Sequence, residues 1–508
     1  MPATRKSLVA ALALPLVLAG APVHAAQSAE QAAIAGSLSE LVDFLRLPNV
    51  TSRSSAEIRA NAQWLEAALK RHGWQARQMP DGDTPMVWGQ WAQAGPKAPT
   101  VLFYAHMDGQ PVTPREWHQA DPFAPVLRAC GDVARCPPLP IEQLPSLAGA
   151  SSDARLFARS AADDKAPILM LIAALDALKA SGRKPAVNIR LIVDSHEEGG
   201  PPTLADVVER NRADLAADAV VILDGPMHPS NRPTVVFGHR GGGVMKITVF
   251  GPSEAMHSGH YGNYVPNPAQ NLARLLAGMK DAQGRVTIPG YYDGATPAFA
   301  AAIAANPVAD DEAALLARAG VAAHEGFVPS YRAAVSQPSL NLIGLFAGSG
   351  TALDRSIIPP QATAAFDLRT VPGIDFDRQL GLVRDWVAQQ GYHLVAEAPT
   401  AQERATYPLI ASIGGRALSG ALFTDPTLPM ARWVSGALAA AHGAAPVAIP
   451  IMGGSVPTEA LVKSLHAPVI LLPLANADDN QHAADENMRL GNYVSGVHSL
   501  TVLLSRRP

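Results

Sequence analysis

Five short segments of this 508-residue chain carry ionisable side chains in patterns suited to chemistry. "YAHMDG" supplies His106 and Asp108, "SAADDKA" supplies Asp163 and Asp164, and "DSHEEGG" supplies Glu197 and Glu198. "ILDGP" adds Asp224 and "NADDNQHAADEN" adds His482. Alone, each segment reads as an acidic loop or a structural histidine. Together, two histidines and several carboxylates suit zinc or a similar first-row cation. The carboxylates outnumber what one ion needs, whereas two ions sharing one carboxylate would employ them all. In H-x-D, the Asp108 carboxylate can accept the second ring N–H of His106 and fix its tautomer. Of the two adjacent glutamates, one can ligate while the other takes a proton from water.

These residues must be carried to one place, and the pattern around them says how. "TVLFYAH", "AVNIRLIVD" and "ADAVVILD" read as buried strands, each ending at one of the segments. "SAEIRANAQWLEAALKRHG" and "KAPILMLIAALDALKASG" read as helices closed by Gly73 and Gly182. Alternating strands and helices predict an α/β fold with a mostly parallel sheet, where sites form at the carboxyl ends of the strands. Near Gly241 the order becomes βαββαβ, the pattern of a ferredoxin-like α+β sandwich, with an insert over roughly 282–336. The expected organisation is therefore a catalytic domain over 36–240 and 399–508, interrupted by a lid over 241–398.

Composition narrows the function. Hydrophobic residues make up 48% and charged residues 17%, a globular balance, and a net charge of −4 argues against nucleic-acid binding. Residues 1–25 have the basic start, apolar run and small residues (Val23, Ala25) of a cleaved signal peptide. Export, to the periplasm of a bacterium, is the expectation, with no membrane span in the mature chain. In an oxidising compartment Cys130 and Cys136 of "CGDVARC" are expected to form a disulfide.

From about residue 36 onward, "HMDG", "DDK", "EEGG", "LDG" and the late histidine stand in an order that resembles the co-catalytic two-zinc exopeptidases. That family includes carnosinase, bacterial dipeptidases, carboxypeptidase G, aminoacylase and acetylornithine deacetylase. "DDK", "HSGHYG", "GGSVP" and "ADDNQH" resemble the carnosinase-like branch. The resemblance implies a zinc held by His106 and Asp224, a second held by Glu198 and His482, and Asp163 bridging them. Manganese or cobalt could take the same ligands. It further implies Glu197 as general base, Asp108 as orienting partner of His106, and a cis Asp163–Asp164 peptide. His257 corresponds to a lid histidine that stabilises the oxyanion in the partner subunit, and Arg369 to the arginine that grips a substrate carboxylate. Asn341 and Ser455 fall at family substrate contacts, while His239 and Arg240 lie near the domain junction.

The chain also departs from the family. "ARS" (Ala158–Ser160) replaces the usual G-R-G, Ala166 replaces a glycine, and Met452 replaces a glutamate before "GGS". The implied activity is hydrolysis of dipeptides or short peptides with a free C-terminal carboxylate, by a homodimer joined through its lids. The alternatives are an N-acyl-amino-acid deacylase and a non-catalytic exported protein that binds metal or peptide.

Overall fold

The computed structural model describes residues 21–199, 203–348, 355–456 and 458–508, with the backbone alone for 21–25. The expected leader lies outside the described residues up to position 20, and the chain is helical from Ala21. Helices α1 (Ala21–Leu45) and α2 (Ser55–Arg71) lead into strands β1 (Gln75–Met79), β2 (Met86–Trp91) and β3 (Thr100–His106). Then come β4 (Val126–Arg128), β5 (Pro138–Leu139), β6 (Arg155–Phe157), α3 (Lys165–Ala180), β7 (Asn188–Asp194), β8 (Ala219–Ile222) and β9 (Thr234–Val236). The smaller unit holds β10 (Gly241–Phe250), α4 (Pro268–Met279), β11 (Ser339–Ala347), β12 (Gln361–Thr370), α5 (Phe376–Gln389), β13 (His393–Val395) and β14 (Ile410–Ser419). The chain closes with α6 (Pro429–His442), β15 (Val447–Ile449), β16 (Val469–Leu471), β17 (Asn487–Arg489) and α7 (Leu490–Ser505).

The large sheet has the order β1-β2-β7-β3-β8-β16-β9-β15. Its centre, β7-β3-β8-β16, is parallel. Strand β3 is a continuous apolar run because both of its faces are covered. Val101, Phe103 and Ala105 pack into one core with Phe44 and Leu169, while Leu102 and Tyr104 enter a second core on the opposite face. Helix α3 is buried on 13 of its 16 residues, so it is a core helix lying between α1 and α7 rather than a surface amphipathic one. Burying each leucine or isoleucine of this kind stabilises the fold by about 1.5–3 kcal/mol. The core extends upstream of residue 36, since Ile34 of α1 is buried with it.

The sequence pattern gave no sign of a second, four-stranded sheet of order β17-β6-β4-β5. It consists of very short strands, and it sets β17, which follows His482, antiparallel to β6, which precedes Asp163. The Cys130–Cys136 disulfide forms beside it, in the turn after β4.

The lid sheet has the order β11-β12-β10-β14-β13. Met245, Ile247 and Val249 of β10 alternate inward onto Leu272 and Leu275 of α4 and Val383 and Trp386 of α5. The domain boundary expected at 398 is corrected here. Strand β14, at 410–419, pairs with all nine of the residues from Gly242 to Phe250 on β10 and so belongs to the lid. Five consecutive exposed positions, Gly414–Leu418, interrupt the alternation that would mark it as a strand.

Candidate metal centre

His106 is the last residue of β3, Glu197 and Glu198 follow β7, and Asp224 follows β8. Asp163 sits in the loop before α3, and His482 in the loop after β16. Parallel pairing brings these strand ends to one edge of the sheet. Ligand atoms of His106, Asp163 and Asp224 all lie within 4.8 Å of one another, and those of Asp163, Glu198 and His482 do likewise. Asp163 is common to both groups. One of its oxygens lies 2.8 Å from His106 Nε2 and the other 3.1 Å from His482 Nε2. His482 Nε2 is also 3.2 Å from Glu198 Oε2. The Asp163–Asp164 peptide is cis.

The donor set fits divalent cations. His106 Nδ1 lies 3.1 Å from the Asp108 carbonyl, so the other ring nitrogen faces the Asp163 carboxylate. Among the described residues, neither Asp224 nor Glu197 receives a hydrogen bond on its carboxylate, and no lysine or arginine pairs with Asp163, Glu198, Glu197 or Asp224. Four carboxylates gathered around two histidines need positive charge between them.

The titration shifts carry the same message. Burial raises Asp224 to about 7, with Asp163 and Glu198 adding to it against His106. Burial also pushes Glu197 well above the carboxylate range, opposed by His106 and reinforced by Asp224 and Glu198. Hydrogen bonds to Asp163 and Glu198 raise His482 to about 10. Asp163 is held low by its two histidines despite its burial.

The Asp108 carboxylate, expected to orient His106, lies beside Nδ1 of its ring. The ring nitrogen is nearer the Asp108 main-chain carbonyl, at 3.1 Å, than the carboxylate, at 3.6 Å. The carboxylate also accepts the backbone N–H groups of Glu197 at 3.1 Å and Glu198 at 3.0 Å. Asp108 thereby holds both glutamates by their backbone, with Thr51 Oγ1 at 3.2 Å.

Sequence reasoning missed three further groups. Gln110 Nε2 donates to Glu198 Oε2 at 2.7 Å. Lys165 of "DDK" is fully buried and donates to the carbonyls of Phe44 and Leu47, which ends α1 rather than serving the site. Glu486 is buried and accepts from Arg159 and from the N–H groups of Ser160, Ala162 and Asp163. An unbroken E-N at the end of "ADDNQHAADEN" was the available signal, and it reads as one more solvated acid.

The lid residues are not brought to the cluster. His257 is exposed, and its Nδ1 accepts from Gly259 N at 3.0 Å. Arg369 on β12 pairs with Asp367 at 2.9 Å. Asn341 on β11 is exposed and lies across the ladder from that same Asp367. Burial, with Arg369 nearby, lowers Arg240 to about 10, and its Nη2 donates to Gln337 and Ser339. Ser455 is half-buried in the "GGSVP" loop. That loop is tied to the domain junction by Met452 N donating to Gly238 O and by His239 Nε2 meeting Thr458 Oγ1 at 2.6 Å.

Residues 237–394 match the family model described as a peptidase dimerisation domain. A Cys-Gly metallodipeptidase of Schizosaccharomyces pombe is 26% identical over 457 residues, 85% of this chain and 85% of the relative. The Beta-Ala-His dipeptidase of Homo sapiens is 25% identical, over 83% of this chain and 78% of the relative. A crystal structure of an M20 family metallo-carboxypeptidase from Sulfolobus solfataricus superposes with a TM-score of 0.70 at 22% identity, covering 92% of this chain and 98% of that one.

Proposed function

We infer that this chain, which has the fold of the M20 metallopeptidases and carries their dimerisation domain, is a metal-dependent peptidase that hydrolyses dipeptides. The observation that carries this reading is Asp163, whose two oxygens face two separate groups of candidate ligands. His106 and Asp224 would complete one ion site, and Glu198 and His482 the other, with zinc as the first choice for both. Bound there, the ions would polarise the scissile carbonyl and make water a stronger nucleophile near neutral pH.

The chain's own residues do the rest. Asp108 holds the backbone of Glu197 and Glu198, and Gln110 fixes the Glu198 carboxylate. Glu197 takes a proton as water oxygen bonds to the scissile carbon, then returns it to the amine nitrogen as the C–N bond breaks. Burial pushes the Glu197 carboxyl above the usual carboxylate range, in the direction of a stronger base. Arg369 would receive the free carboxylate of the product-side residue, exchanging its Asp367 contact for substrate.

His257 would donate to the developing oxyanion across a twofold axis, since it stands exposed and apart from its own cluster. A dimer through the lid is supported by edge strand β11, where Ile343 and Phe346 are 57% and 60% exposed. Export is supported by the apolar leader and by the Cys130–Cys136 disulfide. Among the described residues no helix is long and apolar enough to cross a membrane.

The dipeptidase relatives favour peptides over N-acyl amino acids as substrates. The test is a panel of dipeptides and N-acetyl amino acids, assayed with and without a chelator. Dipeptides should be cleaved and the chelator should abolish cleavage. Cleavage restricted to the acetylated compounds, or unaffected by the chelator, would overturn the reading.

A further inference from the structure

The two loops that carry Asp163 and His482 are joined by one buried carboxylate. Glu486 is wholly shielded from solvent. One oxygen accepts from Arg159 Nη1 at 2.7 Å and Ser160 N at 2.9 Å; the other accepts from Ala162 N at 3.0 Å and Asp163 N at 3.1 Å. Four donors therefore fill the carboxylate. The link is reinforced at its edges: Ala158 N donates to Glu486 O at 3.1 Å, and Arg159 Nη2 to the Ala483 carbonyl at 3.1 Å. The first of these continues the β6–β17 ladder, in which Phe157 faces Asn487.

This loop needs such a support in this chain. Ser160 has φ of 62°, the left-handed region, where a serine is disfavoured by roughly 1–2 kcal/mol. The family pattern has glycine there, which takes that conformation without strain. Across the clamp, Asn480, His482 and Asp485 also have positive φ. The carboxylate that fastens the first loop to the second sits four residues after His482 and bonds directly to the N–H of Asp163.

We propose that Glu486 is a positioning residue that holds Asp163 in the bridging orientation, so that both of its oxygens serve one ion each. The inference rests on the two-ion reading of the site. It assigns Glu486 no contact with substrate or metal. Its effect is on where Asp163 points, and therefore on whether two bound ions are linked.

The probe is Mn2+ added to the metal-stripped full-length protein and followed by electron paramagnetic resonance. The wild type should bind two ions per subunit and give the spectrum of an exchange-coupled pair. In Glu486→Gln, one oxygen becomes an NH2 group that faces N–H donors whichever way the amide is turned. The coupled signal should disappear and the second ion should bind roughly 10–100-fold more weakly. Glu486→Asp keeps the charge and withdraws both oxygens by one methylene, and it should lose the coupled signal as well. Arg159→Lys leaves the three backbone contacts in place and should keep it. A residue that merely stabilised the fold would lower the melting temperature and leave the bound pair coupled. Folded Glu486 variants with a wild-type coupled spectrum would overturn the proposal. A wild type that binds one ion, or two uncoupled ions, would instead overturn the two-ion reading itself.

Discussion

The candidate metal-binding edge of the large sheet and the lid surface that carries His257, Asn341 and Arg369 are built on opposite terms. At the sheet edge, five side chains from five segments meet in two groups whose ligand atoms lie within 4.8 Å of one another, held by partners such as Asp108, Gln110 and Glu486. On the lid, His257 and Asn341 are exposed, and Arg369 is engaged by its own neighbour Asp367. The first region is complete within one chain. The second makes sense as half of a site, finished by closure or by a second subunit. Pre-organised charge belongs where the ions must sit, and adjustable contacts belong where substrate must enter and leave.

The strongest way to break this contrast is at its shared ligand. Asp163→Ala should remove metal from both groups and abolish activity, measured as zinc content per subunit and dipeptide turnover. Retention of two tightly bound ions would contradict the bridging role. Next, Glu197→Gln should lower kcat by roughly 10²–10⁴-fold while leaving bound metal unchanged, because it touches the proton and not the ions. Loss of metal along with activity would recast Glu197 as a ligand.

The lid predictions are smaller and sharpen the other half. His257→Ala should cost roughly 10²–10³ in kcat with normal metal content. Unfolding and refolding it together with Glu197→Gln should restore part of the activity, since mixed dimers then hold one intact site. No recovery would place His257 in its own subunit's site or outside catalysis. Arg369→Met should raise KM for dipeptides by roughly 10–100-fold and spare substrates whose C-terminus is amidated. Equal losses on both would remove the carboxylate contact.

The smallest effect concerns the fold beneath the site. His72 lies between Asp176 and Glu40, joining α2 to α3 and α1, and those hydrogen bonds raise it to about 9. Because the folded-state value exceeds the unfolded one, the bonus is fully present below about pH 6.5 and is lost as pH rises through about 9. The melting temperature should fall across that window, and His72→Gln should flatten the fall. An unchanged slope would show that the triad adds nothing.

How much of this could be read in advance depended on the kind of signal. The catalytic strands announce themselves because each is a buried apolar run ending in an acid or histidine, as in "TVLFYAHMD" and "AVVILDG". Spatial convergence of His106, Glu198, Asp224 and His482 then follows from parallel topology, while Asp163 follows β6 of the antiparallel sheet and joins them through the β6–β17 pairing. Short-range geometry was not legible. The carbonyl and the carboxylate of Asp108 both lie beside His106 Nδ1, a double contact that the H-x-D spacing does not specify. The clamp by Glu486 joins positions 327 residues or fewer apart in sequence through backbone N–H groups, which leave no mark on side-chain pattern. Strand β14 escaped notice because its solvent-facing half contains Gly414, Gly415 and Arg416, and its partner strand alone defines it. The lid boundary moved for that reason.

The measurement closest to the central claim is dipeptide hydrolysis during zinc titration of the metal-stripped protein. Activity should be negligible at first, rise with added zinc, and reach its plateau at two equivalents per subunit. Full activity before any zinc is added, or a plateau at one equivalent, would contradict a site in which Asp163 joins two ions.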